Sequence, residues 1–441
     1  MSPASSGCGM FSCCEEAPPK RLSSASSRSS PSTSSKWPWS PLLFVRFVRP
    51  WLRWTVADYK VLLAYASVGA GHEQAVRALG EVFEQRGWAT RYVDFLDEAP
   101  AAMRFVMRDA YLQLVRILPL AYDLAFQHTV TQDLREAERT SRLLANVGYR
   151  RLRELALMEA PDAIVSTNLW PTLALSKVKQ HRMQGTPLIN CFTDYVLQTL
   201  YMSKGVNWHV SANEQITATF EASHRRLREP IYSFGIPVRT AFAVHRARQE
   251  ARTMLGVPQR THLAIVTGGG LGLGHILEAC DTLTSRPLGE PVTVMALCGN
   301  NADVQSQIGK LAVARSSRYT ITAVGWTDQI STYMQAADVL VSKAGGVTLA
   351  EAAAVGVPLV IFQPLPGQET ANTRFLTQHE AAYAAEDADQ LLRAADELMF
   401  TRRGAEMSGN LRRLGRPNAS QDIVARICED VCRPASPAES S

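Results

Sequence analysis

Short apolar runs that alternate with helical patterns constrain the fold of this 441-residue chain more than any other feature. KVLLAYA, from Lys60, begins one such series, and THLAIVT, from Thr261, begins a second. A glycine-containing turn and a helical pattern follow each run. Parallel strands need a crossover helix, and their sheets are covered by helices on both faces. We therefore predict an α/β protein with two doubly wound parallel sheets.

Two long helical segments, Ala101–His128 and Asp133–Glu159, are predicted to interrupt the first series. The first carries an apolar stripe that is expected either to pack in the core or to meet lipid. The predicted divisions of the chain are a Ser-rich tail and a Trp/Arg-rich segment in 1–57, a first domain in 58–240, a linker in 241–259, a second domain in 260–433 and a disordered tail in 434–441.

The positive charge lies in the N-terminal segment. The formal net charge is +5 at pH 7, and residues 1–57 hold seven Lys or Arg against two Glu, so the remainder is neutral overall. A nucleic-acid-binding domain would carry a basic face instead. Trp37–Trp54 contains four of the eight Trp and three Arg among aliphatic residues. This mixture predicts contact with an anionic membrane surface; a strap packed across the first domain is the alternative.

Cysteine usage and hydropathy indicate the compartment. The eight Cys residues show no CxxC pair and no Cys/His ligand spacing, which predicts a reducing environment without disulfides or structural zinc. No run of about 18 apolar residues predicts a membrane-spanning helix, and the first residues lack the apolar core of a signal peptide. We expect a cytoplasmic protein, peripheral on the cytoplasmic face of a membrane.

The stretch Ser342–Asn372 carries most of the candidate ligand groups. Gly345 and Gly346 allow a ligand to approach the backbone, and the following helix directs free N–H groups and its positive dipole end at the same point. Glu351, about one turn into that helix, is placed to accept hydrogen bonds from ribose hydroxyls, and side-chain amides beyond the next strand suit a hexose. An ordinary strand–turn–helix unit would explain the glycines alone. The predicted donor-site residues are Gly345, Gly346, Thr348, Glu351, Gln368, Glu369 and Asn372.

KAGGVTLAEA and PGQETAN together resemble the donor-binding signature of glycosyltransferase family 28, and specifically of monogalactosyldiacylglycerol synthases and bacterial diacylglycerol glucosyltransferases. The resemblance covers about Lys60 to Glu386. It implies the GT-B fold, in which two Rossmann-like domains face a central cleft, with a lipid acceptor on the first and a UDP-sugar on the second. It also implies inversion of the anomeric centre and a uracil site at Gly325 and Trp326.

A glycine-rich loop, GGGLGLG, follows a strand and opens a helix, so its amides are predicted to join the diphosphate site. An NAD-type turn is the alternative, but no Asp or Glu ends the following strand to bind a ribose. The loop is similar to that of plant-type galactolipid synthases, whereas PGQETAN is closer to the bacterial glucosyltransferases, so galactose and glucose both stay open. The predicted loop residues are Gly268, Gly269, Gly270, Gly272 and Gly274.

His72 and Asp194 are the candidates for the base that removes the proton of the acceptor hydroxyl. His72 closes SVGAGH at a helix start, where a neutral imidazole accepts a proton near pH 7 and the positive helix end disfavours imidazolium. Asp194 matches the Thr-Asp pair of the family and is expected to orient His72 or to act as the base itself. Gly69 and Gly71 are predicted to let the acceptor headgroup approach the backbone.

The expected reaction uses no cofactor and no metal ion. No Asp-x-Asp pair stands in a loop where a divalent ion would hold the diphosphate, so helix ends and amides are predicted to carry that role. We predict transfer of galactose or glucose from a UDP-hexose to diacylglycerol, without a nucleic-acid partner. Transfer to another lipid or polyisoprenoid acceptor, or an inactive nucleotide-sugar sensor, are the alternatives.

Overall fold

Two parallel six-stranded sheets form the structure of the chain. The computed structural model describes residues 59–99, 104, 107, 117–224, 227–272, 274–285, 292–315 and 319–432. The Trp/Arg segment Trp37–Trp54 and both predicted tails lie outside these residues. Within the described part of the chain, every helix is too short or too polar to cross a membrane. The predicted fold class is confirmed.

The first sheet follows the alternation of its strand sequences. Val61 and Leu63 join the core on one face of the sheet, and Leu62 and Ala64 join the core on the other face, as the period of two in a strand requires. The strands are β1 (Lys60–Tyr65), β2 (Ala89–Asp94), β3 (Ala163–Ser166), β4 (Leu188–Cys191), β5 (Trp208–Val210) and β6 (Ile231–Tyr232). They lie in the order β2-β1-β3-β4-β5-β6.

Helices cover the first sheet. The predicted helical segment Asp133–Glu159 is helical on both sides of a turn that ends at Gly148, which has φ +69° and lies directly against the ring of Phe95. The helices are α1 (Ala70–Gln85), α2 (Phe95–Glu98), α3 (Pro119–Thr131), α4 (Leu134–Leu144), α5 (Tyr149–Glu159), α6 (Leu169–Arg182) and α7 (Glu214–Ser223). Most of Ala101–His128 before α3 lies outside the described residues.

The second sheet has the strand order of a dinucleotide-binding domain. Its strands are β7 (His262–Thr267), β8 (Val292–Leu297), β9 (Thr320–Val324), β10 (Val339–Ser342), β11 (Leu359–Phe362) and β12 (Tyr383–Ala385). They lie in the order β12-β11-β10-β7-β8-β9, so the winding reverses between β7 and β10. Ligands of such sheets bind beyond the carboxyl ends of the strands at this reversal. Both predicted glycine loops begin there.

The helices of the second half are α8 (Arg248–Leu255), α9 (Ile276–Leu283), α10 (Ala302–Arg315), α11 (Ile330–Ala336), α12 (Gly346–Val355), α13 (Gln368–Gln378), α14 (Ala388–Phe400), α15 (Arg403–Leu414) and α16 (Ala419–Cys432). The predicted linker 241–259 contains α8, which is anchored on the second lobe. Buried Arg252 of α8 pairs with Asp338 at 2.5 Å, just before β10.

The last helix, α16, returns to the first lobe. Its position in the chain placed it in the predicted second domain, but Ile423, Val424 and Ile427 pack in the core of the first sheet. Trp208 Nε1 in β5 donates a hydrogen bond of 2.9 Å to Asp430. Apolar burial therefore overrides sequence order at the end of the chain, and α16 ties the two lobes together.

Candidate functional site between the two sheets

A cavity of about 260 Å³ lies where segments from both sheets meet. The segments that follow β1 and β4 line it from the first lobe, and those that follow β7 to β11 line it from the second lobe. All of these segments leave the carboxyl ends of parallel strands, the edge where α/β sheets place their ligand sites. The cavity is therefore the candidate functional site.

Most of the predicted site residues line this one cavity, although they come from distant parts of the sequence. The three that do not are Gly272, Gly274 and Asn372. Those that do are Gly69, Gly71, His72, Asp194, Gly268, Gly269, Gly270, Gly325, Trp326, Gly345, Gly346, Thr348, Glu351, Gln368 and Glu369.

Two helix N-termini face each other across the cavity. The N-cap residues of α1 and α12 are Gly69 and Gly345, and neither helix start has a side chain that caps its amides. A Cβ atom on Gly71 would lie 3.6 Å from the Val347 side chain, so the two helix starts are in near contact. Uncapped amides and two positive dipole ends make this region attractive for an anion.

The glycine-rich loop after β7 contributes in two ways. A Cβ atom on Gly270 would lie 3.0 Å from Ala70 of α1 and 3.1 Å from the Trp326 ring, so this part of the loop is confined between both lobes. Gly272, with φ +58°, packs instead against the carbonyl of Cys298 beyond β8, and Gly274 lies beside the Lys343 side chain. Gly272 is therefore required for close packing, and the donor contacts of Gly272 and Gly274 stay predictions.

His72 lies at the start of α1 with one ring nitrogen engaged. Its Nδ1 is 3.2 Å from Thr193 Oγ1, and its backbone carbonyl accepts a hydrogen bond of 3.1 Å from Thr167 Oγ1. Burial lowers the pKa of His72, and the nearby Asp194 carboxylate partly offsets that shift. The ring is therefore neutral near pH 7, which is the form that accepts a proton.

Asp194 belongs to the loop after β4, on the same side of the cavity as His72. Burial raises the pKa of its carboxyl group, while a 2.8 Å hydrogen bond from Asn372 Nδ2, the His72 ring and Lys343 favour the charged form. Burial favours the uncharged forms of both His72 and Asp194, whereas the attraction between their charges favours the ionised form of each.

Glu351 is the buried carboxyl of the second half of the site. It is 9% exposed, and burial raises its pKa to about 7, with Arg239 acting in the opposite direction. Both protonation states are therefore populated near neutral pH. A protonated carboxyl donates as well as accepts hydrogen bonds, so the group can pair with a hydroxyl in either state.

Lys343 and Arg239 were not recognised as site residues from the sequence, although both line the cavity. Lys343 Nζ pairs with Glu369 Oε1 at 2.5 Å, and the side chain of Glu369 is only 6% exposed. Arg239 pairs with Asp328 at 3.2 Å, and its Nε is buried without a partner. The sequence feature that could have identified Lys343 as a site residue is a cationic side chain directly after a strand and shortly before a glycine pair. Arg239 had no comparable local pattern.

Helix α3 of the first lobe reaches the residues predicted to hold the hexose. Tyr122 donates a hydrogen bond of 2.8 Å from its hydroxyl to Gln368 Oε1, and the amide of Gly367 donates one of 3.0 Å to Asp123. Gly367 has φ +87°, and a Cβ atom there would lie 2.4 Å from the Tyr122 ring. Only glycine fits this contact, so the start of α13 is shaped by the first lobe.

Asn372 does not face the cavity, which corrects its predicted role in sugar binding. The residue is 0% exposed. Its Nδ2 donates to Asp194 Oδ1 and to the Ala344 carbonyl, and its Oδ1 accepts from the Tyr195 amide. Sequence spacing placed this amide near the hexose, whereas helix α13 turns it toward the loop after β4.

Two parallel sheets facing a cleft, with their glycine turns directed into it, define the GT-B fold. MurG of Acinetobacter baumannii has this fold: it superposes with a TM-score of 0.57 at 17% identity, covering 84% of this chain and 100% of that one. UGT2 of Phytolacca americana, solved with UDP-2-fluoro-glucose and pterostilbene, gives a TM-score of 0.55 at 13% identity, with 85% and 100% coverage.

Family profiles match both halves of the chain. Residues 72–238 match monogalactosyldiacylglycerol (MGDG) synthase, and residues 263–423 match the glycosyltransferase family 28 C-terminal domain. The chain therefore belongs to glycosyltransferase family 28, and the predicted resemblance is confirmed.

Similar curated proteins include two bacterial relatives, each named processive diacylglycerol beta-glucosyltransferase. The protein of Bacillus cereus (strain ATCC 14579) is 25% identical over 346 residues, which is 78% of this chain and 86% of that protein. The protein of Bacillus pumilus (strain SAFR-032) is 25% identical over 373 residues, covering 84% of this chain and 94% of that protein.

Proposed function

We propose that this enzyme transfers glucose or galactose from a UDP-sugar to diacylglycerol, with inversion and without a metal ion. The observation that carries the proposal is that His72 and Asp194 line one wall of the cavity while Glu351 and Gln368 line the other. An acceptor on the first lobe then meets a donor on the second. The names of the bacterial relatives support diacylglycerol as the acceptor.

The diphosphate of the donor is proposed to bind where the start of α12 meets the loop after β7. Gly346, Val347 and the loop line this region, and α12 begins there without a capping side chain. Lys343 and Arg239, each paired with a carboxylate, line it as well. These groups stabilise the charge that develops on the departing UDP as the bond to the sugar breaks. Because they are held by the fold, little reorganisation accompanies the reaction.

The remaining parts of the donor are proposed to lie on either side of the diphosphate. Trp326 is 46% exposed at the cavity edge and offers a ring for the uracil. Glu351 is the proposed partner of the ribose hydroxyls. Gln368, held by the Tyr122 hydroxyl, is the proposed partner of the hexose.

The transfer step needs a base beside the acceptor hydroxyl. With a hydrogen on Nδ1 donated to Thr193, His72 keeps a lone pair on Nε2. The acceptor oxygen attacks C1 of the sugar, the bond from C1 to the diphosphate oxygen breaks, and UDP leaves with the bonding electrons. The acceptor proton passes to His72, and Asp194 stabilises the resulting imidazolium; direct proton removal by Asp194 is the alternative assignment.

Metal independence is proposed because fixed protein groups supply the positive potential at the diphosphate position. The start of α12, Lys343 and Arg239 line the part of the cavity where the diphosphate is proposed to bind. Among the residues that the structure describes, no three His, Cys, Asp or Glu side chains are grouped as metal ligands. Whether an ion assists the reaction is decided by the chelation experiment below.

Peripheral membrane binding is proposed for the first lobe. Leu120 and Leu124 of α3 are 81% and 72% exposed, and the same helix contacts the hexose end of the cavity through Tyr122. Exposed leucines beside a lipid-using site suit a bilayer surface. The Trp37–Trp54 segment, outside the described residues, is proposed to add interfacial contacts on the cytoplasmic face.

The proposed function is tested by incubating the purified full chain with diacylglycerol vesicles and, separately, UDP-glucose, UDP-galactose or UDP-N-acetylglucosamine, with and without EDTA. Labelled diacylglycerol glycolipid from one of the two hexose donors, retained in EDTA, is the expected result. Product formed only from UDP-N-acetylglucosamine would contradict the proposed donor. Product formed only when a polyisoprenoid lipid takes the place of diacylglycerol would contradict the proposed acceptor. Loss of activity in EDTA would refute metal independence.

A further inference from the structure

We propose that Asn372 is a positioning residue that holds the Asp194 carboxylate in place, and that it does so only while the two lobes are in contact. The inference rests on the proposed function, because it assigns Asp194 a part in the transfer step. Asn372 belongs to α13 of the second lobe, and Asp194 belongs to the loop after β4 of the first lobe. The side chain that fixes a reactive carboxylate therefore comes from the opposite half of the molecule.

Every polar group of the Asn372 side chain has a protein partner. Nδ2 donates to Asp194 Oδ1 at 2.8 Å and to the Ala344 carbonyl at 3.0 Å, while Oδ1 accepts from the Tyr195 amide at 2.7 Å. Two acceptors on one side and a donor on the other allow a single orientation of the amide. A fully used, fully buried amide has no room to bind substrate as well, so its role is to orient protein groups.

One face of α13 makes the interlobe contact. Asn372, Phe375 and His379 stand at positions i, i+3 and i+7, which share a helix face. Phe375 stacks on the Tyr195 ring with centroids 5.2 Å apart, and His379 Nε2 lies 2.6 Å from Gln215 Oε1 of α7. This face holds the Asp194 loop from one side.

The start of α12 holds the same loop from the other side. A Cβ atom on Gly346 would lie 1.9 Å from the Thr193 carbonyl oxygen, so only glycine allows the two backbones to approach this closely. The Asp194 loop is thus clamped between two helices of the second lobe. Separation of the lobes would remove the clamp and the Asn372 hydrogen bond together.

The charge on Asp194 depends on groups from several elements. Burial and the Glu369 carboxylate of α13 raise its pKa, whereas the Asn372 amide, the His72 ring of α1 and Lys343 beyond β10 lower it. Burial and the Asp194 charge also raise the pKa of the Tyr201 phenol, so this group interacts with Asp194 as well. A hydrogen bond donated to a carboxylate stabilises its charged form, so loss of the Asn372 amide raises the Asp194 pKa.

The experiment compares Asn372→Asp and Asn372→Ala with Thr373→Ala in the full chain. Asn372→Asp keeps the side-chain shape and an acceptor for the Tyr195 amide but replaces the amide donor with a carboxyl group, whose charge beside Asp194 also raises the Asp194 pKa. Thr373, the next residue of α13, is buried, and its hydroxyl donates to the Glu369 carbonyl of its own helix, so it is the matched control. Hexose transfer is measured against pH, and backbone hydrogen exchange is measured at Tyr195.

Both Asn372 variants are expected to lower kcat about 10- to 100-fold near neutral pH, the usual effect of losing a hydrogen bond to a charged group. The acid limb of the kcat profile is expected to move up by about one pH unit, and the KM for the UDP-hexose to stay within about threefold. The acid limb of the kcat profile of Thr373→Ala should lie at the same pH as that of the original enzyme. An equal fall in kcat at every pH, with the limb unmoved, would reduce Asn372 to a structural residue and overturn the proposal.

Hydrogen exchange separates this proposal from the proposed function. Exchange at Tyr195 should rise in Asn372→Ala and stay low in Asn372→Asp, which retains that acceptor. If the original enzyme transfers no hexose, the proposed function fails, and exchange alone decides whether Asn372 holds the loop. If exchange at Tyr195 is no faster in Asn372→Ala than in Thr373→Ala, the proposed clamp is wrong, whether or not the original enzyme transfers hexose.

Discussion

The ends of β1 and β10 use the same backbone device for two different purposes. Each strand leads through a glycine turn into a helix whose N-terminus has no capping side chain, and both helix starts open into one cavity. Beyond β1 the side chain at that point is His72, whose pKa is lowered by burial. Beyond β10 the neighbouring side chain is Lys343.

The difference teaches that a positive helix end does not specify a chemistry by itself. In the first lobe it disfavours an imidazolium and so keeps a base ready to accept a proton. In the second lobe it lies beside Lys343, and Arg239 lines the same cavity, so this region favours an anionic ligand. Loss of His72 in the first lobe is therefore expected to lower turnover, whereas loss of Lys343 in the second lobe is expected to weaken UDP binding.

The largest effect is expected from His72→Ala, which removes the proposed base. We expect kcat to fall about 10²- to 10⁴-fold, the usual contribution of a general base, while UDP affinity changes less than about threefold. Steady-state transfer assays and calorimetry with UDP measure the two quantities. His181→Ala, an exposed histidine at the end of α6, is the control. If His72→Ala weakens UDP binding as much as it lowers kcat, the two lobes do not have separate roles in proton transfer and donor binding.

A large effect on stability is expected from Glu351→Gln. The folded-state pKa of Glu351 is raised to about 7 from an ordinary value near 4.5, so the folded state holds the proton more tightly than the unfolded chain does. The native protein therefore loses about 3 kcal/mol of stability from this group as pH rises from 4.5 to 7, and the Gln variant does not.

Urea unfolding at pH 5 and pH 8 tests this expectation for Glu351. The free energy of unfolding of Glu351→Gln, relative to that of the native protein, should increase from pH 5 to pH 8. Glu221→Gln, at an exposed glutamate of α7, should show no such gain. A constant difference between the Glu351 variant and the native protein across pH would show that burial does not control this carboxyl.

Lys343→Met should weaken the second lobe as an anion site. Loss of one charge-assisted contact is expected to raise the Kd for UDP about 10- to 100-fold. The substitution also leaves the Glu369 carboxylate buried without its 2.5 Å partner. Lys343→Met combined with Glu369→Gln removes that penalty, so a weak Kd that persists in the double variant assigns the effect to the diphosphate rather than to folding.

The smallest effect is expected at the surface of the first lobe. Leu124→Ser in α3 should lower partition onto anionic vesicles about fivefold, because part of one leucine side chain no longer enters the interface. Co-sedimentation measures the partition. Met254→Ser, at an exposed methionine of α8 on the second lobe, is the control and should leave binding unchanged. Equal losses from both variants would mean that the lobes do not differ in membrane contact.

Local sequence patterns and the family resemblance predicted the α/β class, the glycine turns and half of the residues that line the cavity. They succeeded because strand periodicity, glycine conformations and helix starts depend on neighbouring residues. They did not reveal the turn at Gly148, which passes the Phe95 ring, and they placed α16 in the wrong lobe, since its apolar face belongs to the first sheet. Both features depend on packing with distant segments.

The sequence by itself determined which backbone devices this protein has and which side chains lie next to them, from His72 after β1 to Glu351 in α12. Only the tertiary structure decided what crosses between the lobes: Asn372 lies 178 residues from Asp194, and Tyr122 lies 246 residues from Gln368. Such pairs leave no local pattern, because their meeting depends on how two separately wound sheets pack against each other.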